Sequence, residues 1–196
     1  MVDKFTTRNA GKAYRLGLGA GQRETMDRAI VMRCQGSLDW EHYANVMVFV
    51  PIVANREINI WPLIYWIWEK WPQVVVYAPQ VRGHAMGAAR LGSDTPLRTG
   101  AYGTVEPPGA SELLPSQHLD LILTPLLGFD LAGHRVGYGK GYYDRFFATH
   151  PTAQRIGLGY EQLLVAGTIA TAPHDIPLAG VITEDRFIDF AKSKLV

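Results

Sequence analysis

NVMVFVPIVANREINIWPLIYWIWEKWPQVVVYAP, residues 45–79, decides the fold. NVMVFVPIV (45–53) is a short apolar run rich in β-branched residues and stopped by Asn55, the pattern of a buried strand. Asn59 to Trp71 then reads as a helix. Asn59 serves as its N-cap, and Pro62 sits in the first turn, where a missing N–H costs nothing. QVVVYAP (73–79) is a second buried strand. Strand, helix, strand in this order implies an α/β sheet covered by helices on its faces.

The flanks repeat the alternation. Upstream, residues 3–36 read as helical: ETMDRAIVMRC (24–34) places Met26, Ala29, Ile30 and Arg33 at helical spacing, with Gly36 as a stop signal. Downstream, residues 83–116 are rich in Gly, Pro and Ser but keep recurring apolar residues, so they read as an excursion of short strands and loops. LDLILTPLLGFD (119–130) opens with a third strand that breaks at Pro125. GYYDRFFATH (141–150) carries a short helix ending near Pro151. RIGLGY (155–160) and AGVITED (179–185) supply two late strands. No repeat, charge block or composition boundary divides the chain. The expectation is a single α/β domain over 1–196, a mixed, mostly parallel sheet flanked by helices in a Rossmann-like three-layer arrangement.

Composition narrows the function. A chain of 196 residues with 47% hydrophobic and 19% charged residues is an ordinary globular protein, and it is expected to be cytoplasmic. Nineteen basic against eighteen acidic residues leave no broad electrostatic footprint for nucleic acid or a membrane surface. INIWPLIYWIW (58–68), the most apolar segment, is too short for a membrane span. The single cysteine, Cys34, excludes an internal disulfide and reads as a small buried apolar side chain. Oligomeric state is not written in the sequence, and a monomer is the default.

The chemistry concentrates in GHRVGYGKGYYDRFF, residues 133–147. Gly137, Gly139 and Gly141 alternate just before a helix, where free N–H groups and peptide dipoles favour an anion. Lys140 adds a mobile positive charge suited to phosphate, and Arg135 and Arg145 flank the loop. Asp144 repels phosphate directly, so its use there is to hold a magnesium ion bridging to phosphate oxygens. The spacing is neither a Rossmann fingerprint nor a P-loop. On the residues alone, a phosphate site and a glycine-rich turn with a solvated charged rim both remain open.

FDLAGHRVGYGKGYYDRFF (129–147) resembles the signature of the 5-formyltetrahydrofolate cyclo-ligase family, with Val136 in place of the usual Leu. LILTPLLGFD, YGTVEPP (102–108) and HDIPLAGVITED (174–185) extend the resemblance along most of the chain. The resemblance implies ATP- and Mg2+-dependent closure of 5-formyltetrahydrofolate to 5,10-methenyltetrahydrofolate. Gly137, Tyr138, Gly139, Lys140, Gly141, Tyr142 and Tyr143 would form the phosphate loop with Arg135 beside it, and Tyr142 and Tyr143 would also face the pterin. Lys140, Tyr142 and Arg145 would be catalytic, and Asp144 and Asp175 would hold the metal. Read alone, Asp175 is a turn or cap residue.

The family's paired cations on the first helix match Lys4 and Arg8 in KFTTR, four apart on one helical face, with Lys12 and Arg15 as the rival pair. Glu57 matches a strand-end glutamate whose carboxylate bonds the pterin's amino and ring N–H groups. Trp61 and Met86 are expected in the pocket wall, with an apolar core role open for each. Three departures fall on the folate side. The approach to Glu57 is two residues longer than the family pattern, no aromatic follows Met86, and Leu163 stands where the family has a glutamine, with Gln162 one residue early. Two alternatives remain: a relative that keeps the ATP loop but acts on another small substrate, and a non-catalytic folate- or nucleotide-binding regulator.

Overall fold

Asp3 starts the first helix: its carboxylate accepts the Thr6 N–H at 2.7 Å and caps the open N-terminus. The computed structural model describes residues 1–108 and 118–191. Its elements in chain order are α1 (Lys4–Gly17), α2 (Ala20–Ser37), β1 (Asn45–Met47), α3 (Trp61–Lys70), β2 (Val75–Arg82) and β3 (Ala85–Arg90). Then follow β4 (Arg98–Thr99), β5 (Val105–Glu106), β6 (Leu121–Pro125), β7 (Gly128–Phe129) and β8 (Arg135–Val136). The chain continues through α4 (Tyr142–Thr149), β9 (Gln154–Leu158), β10 (Gly180–Ile182) and β11 (Phe187–Asp189).

Seven strands form the main sheet in the order β11-β10-β9-β6-β1-β2-β3. The five inner strands run parallel, and the edge strands β11 and β3 pair antiparallel. This is the expected mixed, mostly parallel α/β sheet with flanking helices. Val46 lies opposite both Val76 and Leu121, and all three are buried, which explains why these strands read as continuous apolar runs. Cys34 is fully buried in the same core.

From β1 the chain moves to β2 and β3 on one side. The next sheet strand, β6, lies on β1's other side and leads away through β9 and β10. The connections therefore diverge between β1 and β6, and such a divergence opens a crevice at the strands' carboxyl ends.

Three boundaries differ from the sequence reading. The expected helix over 3–36 breaks at Leu18 and Gly19, both extended, because glycines at 17 and 19 weaken the helix and Leu18 turns into the core. The strand expected over 45–53 keeps ladder pairing for three residues; Val48, Phe49 and Val50 stay buried beyond it, and Val53 is exposed at the start of a short 3-10 helix. Helix α3 begins at Trp61 with Ile60 as its cap, although Asn59 Oδ1 still accepts the Trp61 N–H at 3.2 Å. Within 83–116, β3, β4 and β5 are short strands as expected, and residues 109–116 lie outside the described residues. Among the described residues, no helix is long and apolar enough to cross a membrane.

Candidate functional site

Residues following β1, the body of β2 and the end of β6 open onto a cleft of about 520 Å³. One end is cationic and glycine-lined, and the other is apolar with a single buried carboxylate.

Helix α1 builds the cationic end. Lys4, Arg8 and Lys12 recur every fourth residue, so they share one face, and all three line the cleft. Close docking makes this possible. A Cβ on Gly11 would lie 2.0 Å from the Leu127 carbonyl oxygen, so only glycine lets the helix backbone come this near. Lys4 forms an ion pair with Asp175, and Arg8 Nε donates to the Gly137 carbonyl at 2.8 Å.

The glycine loop faces this helix. Gly141 caps α4 in the left-handed region, φ 66°, with no side chain bonded to the helix's first N–H groups. The N-terminal amides of α4 therefore stand beside the cleft, next to exposed Lys140. Asp144, in the first turn of α4, accepts Arg135 Nη2 at 2.9 Å and the Ile176 N–H at 3.3 Å, both on Oδ1. Asp175 accepts from Lys4 and Ala172 on Oδ2. Burial pulls the Arg135 pKa down, while Asp144 beside it pushes the other way. Burial also acts to raise Asp175, yet the Ala172 N–H and Lys4 outweigh it and hold this carboxyl below its ordinary value.

The two expected metal ligands thus share one corner, and the second oxygen of each takes part in none of the hydrogen bonds of the described residues. No cluster of three or more His, Cys, Asp or Glu suited to a metal exists among the described residues. A magnesium ion fits this donor set, because it keeps several waters and takes one or two carboxylates together with phosphate oxygens.

The apolar end is walled by Phe49, Val50, Ile52, Val81 and Met86. Glu57 enters it almost completely buried, 4% exposed, held by the Ile52 N–H at 2.8 Å and the Tyr138 hydroxyl at 2.6 Å. Burial raises its pKa against the opposing pull of those two hydrogen bonds and of Arg15. Tyr142 and Tyr143 also line the cleft, and the Tyr142 hydroxyl donates to the Gly83 carbonyl at 2.9 Å.

Two expected site residues lie elsewhere. Trp61 is outside the cleft lining, because it starts α3 and stacks on Tyr65 with ring centroids 5.6 Å apart. Arg145 is exposed and also outside the lining. Its Nε donates to the His84 carbonyl at 3.0 Å and its Nη2 to the Lys140 carbonyl at 3.1 Å, so it ties the β2–β3 turn to the glycine loop. Gln162 lies in a separate open groove, and the neighbouring Leu163 is buried.

Arg15 is more than half of a rival pair. It sits on the side of α1 that faces the glycine loop, 3% exposed, and its Nη2 donates to the Tyr138 hydroxyl at 2.6 Å. The sequence offered it only as the partner of Lys12 in a rival phosphate pair. A second buried group, Asp27, accepts the Tyr160 hydroxyl at 2.6 Å and the Asn59 N–H at 3.0 Å, which ties α2 to the segment carrying Glu57. A lone aspartate within a helix gives no sequence signal for such a task.

A family model described as the 5-formyltetrahydrofolate cyclo-ligase family matches residues 2–184. The chain is 27% identical over 177 residues to the 5-formyltetrahydrofolate cyclo-ligase of Haemophilus influenzae, covering 87% of this chain and 92% of that one. The NMR structure of Aquifex aeolicus 5,10-methenyltetrahydrofolate synthetase superimposes with a TM-score of 0.82 at 25% identity, covering 95% of this chain and 92% of that one. A Mycoplasma pneumoniae 5,10-methenyltetrahydrofolate synthetase shares the fold, with a TM-score of 0.75 at 20% identity over 93% of this chain and 99% of that one.

Proposed function

Because the chain belongs to the 5-formyltetrahydrofolate cyclo-ligase family, we propose that its cleft couples ATP hydrolysis to closure of 5-formyltetrahydrofolate into 5,10-methenyltetrahydrofolate. The observation that carries this reading is the shared cleft. The uncapped N-terminus of α4, the cations of α1 and the carboxylates Asp144 and Asp175 open onto the same space as Glu57 and its apolar wall.

The reaction needs little covalent work from the protein. An N-formyl oxygen is amide-like and leaves poorly. Transfer of the γ-phosphoryl group to that oxygen releases ADP and turns the oxygen into a phosphate ester. N10 then attacks the formyl carbon and loses its proton, and the C–O bond breaks with inorganic phosphate as leaving group. What the site must supply is alignment and charge neutralisation.

The residues divide that work. Amide N–H groups of the 137–142 segment receive phosphate oxygens, with Lys4, Arg8, Lys12 and Lys140 around them. Asp144 and Asp175 would hold the magnesium ion, which when bound neutralises phosphate charge. Lys4 then exchanges its partner Asp175 for phosphate. Glu57 accepts the pterin's N–H groups, and Val81 and Met86 cover its rings. Tyr142, fixed by the Gly83 carbonyl, lines the same cleft. Arg145 acts by holding the loop closed.

The test is absorbance. Methenyltetrahydrofolate has a near-ultraviolet band that its 5-formyl precursor lacks. Purified protein with ATP, Mg2+ and 5-formyltetrahydrofolate should develop the band, and omission of ATP or Mg2+ should abolish it. No band with all three present would refute the reading.

A further inference from the structure

Tyr138 belongs to the glycine loop by its backbone and to the folate wall by its side chain. Its hydroxyl lies 2.6 Å from Arg15 Nη2 and 2.6 Å from Glu57 Oε1. A guanidinium can only donate, so the tyrosine oxygen accepts from Arg15 and its one proton goes to Glu57. The direction of the chain is therefore set: Arg15 to Tyr138 to Glu57. Burial, with the charge of Glu57 next, pushes the tyrosine pKa up, so the hydroxyl keeps that proton.

The backbone on either side of Tyr138 answers to the nucleotide end. Gly137 gives its carbonyl to Arg8 Nε at 2.8 Å. Gly139 adopts φ +86° against the same guanidinium, where a Cβ would lie 3.0 Å from Arg8 Nη2. A phosphate that recruits Arg8 thus acts on both neighbours of Tyr138. Arg15 is a poor choice for stability, since it is nearly fully buried and its Nε finds no partner among the described residues. Its lysine neighbour Lys12 lies 5.7 Å from the Tyr138 ring centroid, so two cations converge on this one side chain.

We propose that Tyr138 is a positioning residue that couples nucleotide binding on the glycine loop to folate affinity, through the hydrogen-bond chain from Arg15 to Glu57. This rests on the assignment of the two ends of the cleft made above. Tyr138→Phe keeps the ring and its packing and removes only the bridging hydroxyl.

The experiment is equilibrium binding of 5-formyltetrahydrofolate, with and without saturating Mg2+ and the non-hydrolysable β,γ-imido analogue of ATP. In the wild type the analogue should change the folate Kd by about fivefold or more, the range of ordinary coupling between sites. In Tyr138→Phe that ratio should fall to within about twofold of one. The variant's KM for 5-formyltetrahydrofolate should rise about tenfold, the effect of losing a hydrogen bond to a charged group, and should rise by more than kcat falls. A wild type with no coupling, or a variant with the wild-type ratio, would overturn the proposal. Arg15→Lys keeps the charge without the planar reach and should lose coupling in the same way; it decides alone if Tyr138→Phe does not fold. Missing methenyl product from the wild type would count against the cyclo-ligase reading instead, because coupling is scored by binding alone.

Discussion

Asp144 and Glu57 place the same functional group, a carboxylate, at opposite ends of the cleft. Asp144 accepts two donors on one oxygen, and Asp144→Asn keeps an acceptor there while removing the charge. The variant should fold with a lowered Tm, because Arg135 loses its counterion, and its Mg2+-dependent kcat should fall about 100-fold. Wild-type turnover in steady-state assays at a temperature well below that Tm would remove the metal role. Glu57 gives a pH test. Burial raises its pKa from the ordinary 4.5, so the native state holds this proton more tightly than the unfolded chain does. The stability it contributes is complete below pH 4.5 and is lost as pH rises through the elevated native value. Glu57→Gln does not titrate. The Tm of the variant minus that of the wild type should therefore become more positive from about pH 4 to pH 7, measured by scanning calorimetry. The buried Asp27, also raised chiefly by burial, is present in both proteins and cancels in the difference. A flat or falling difference would contradict the assignment.

Helix α1 is the element on which the cationic end depends. Lys4 and Arg8 were expected as a pair from the family resemblance, with Lys12 and Arg15 as its rival, and the structure places Lys4, Arg8 and Lys12 together along the cleft. The docking of α1 was not legible, because Gly11 reads simply as a weak helix former until Leu127 is known to lie against it. Gly11→Ala should push the helix off its seat, with a loss of about 1–3 kcal/mol for overpacking against rigid backbone. That corresponds to a Tm lower by roughly 2–12 °C by circular dichroism, with a higher KM for ATP as Lys4 and Arg8 move away. An unchanged Tm would mean that the approach is looser than the structure has it. The aromatic residues of α3 carry the opposite lesson. Trp61 was expected in the pocket wall, with a core role as the alternative, yet helix geometry turns it onto Tyr65. Arg145 follows α4's first turn away from the cleft toward His84. Motif membership gave each residue its neighbourhood but not its direction.

At the scale of the whole molecule, alternating apolar runs made the α/β class legible, and the order of the strands was hidden. Nothing local says that β6 returns to the far side of β1, since β1, β2 and β6 are all short and apolar. That return creates the divergence between β1 and β6 and so locates the cleft. It also brings Glu57, from the segment after β1, within 2.6 Å of Tyr138 in the loop after β8, across 81 positions of sequence. Pairings of this kind are set by tertiary packing, which a single sequence does not report. The proposed function needs one space where a triphosphate and a formyl group meet in line. Its most direct test is the fate of the formyl oxygen. 5-Formyltetrahydrofolate labelled with oxygen-18 in the formyl group, turned over with ATP and Mg2+, should deliver the label to inorganic phosphate, detected by mass spectrometry. Label released to water, with phosphate unlabelled, would contradict phosphoryl transfer to that oxygen and the alignment built upon it.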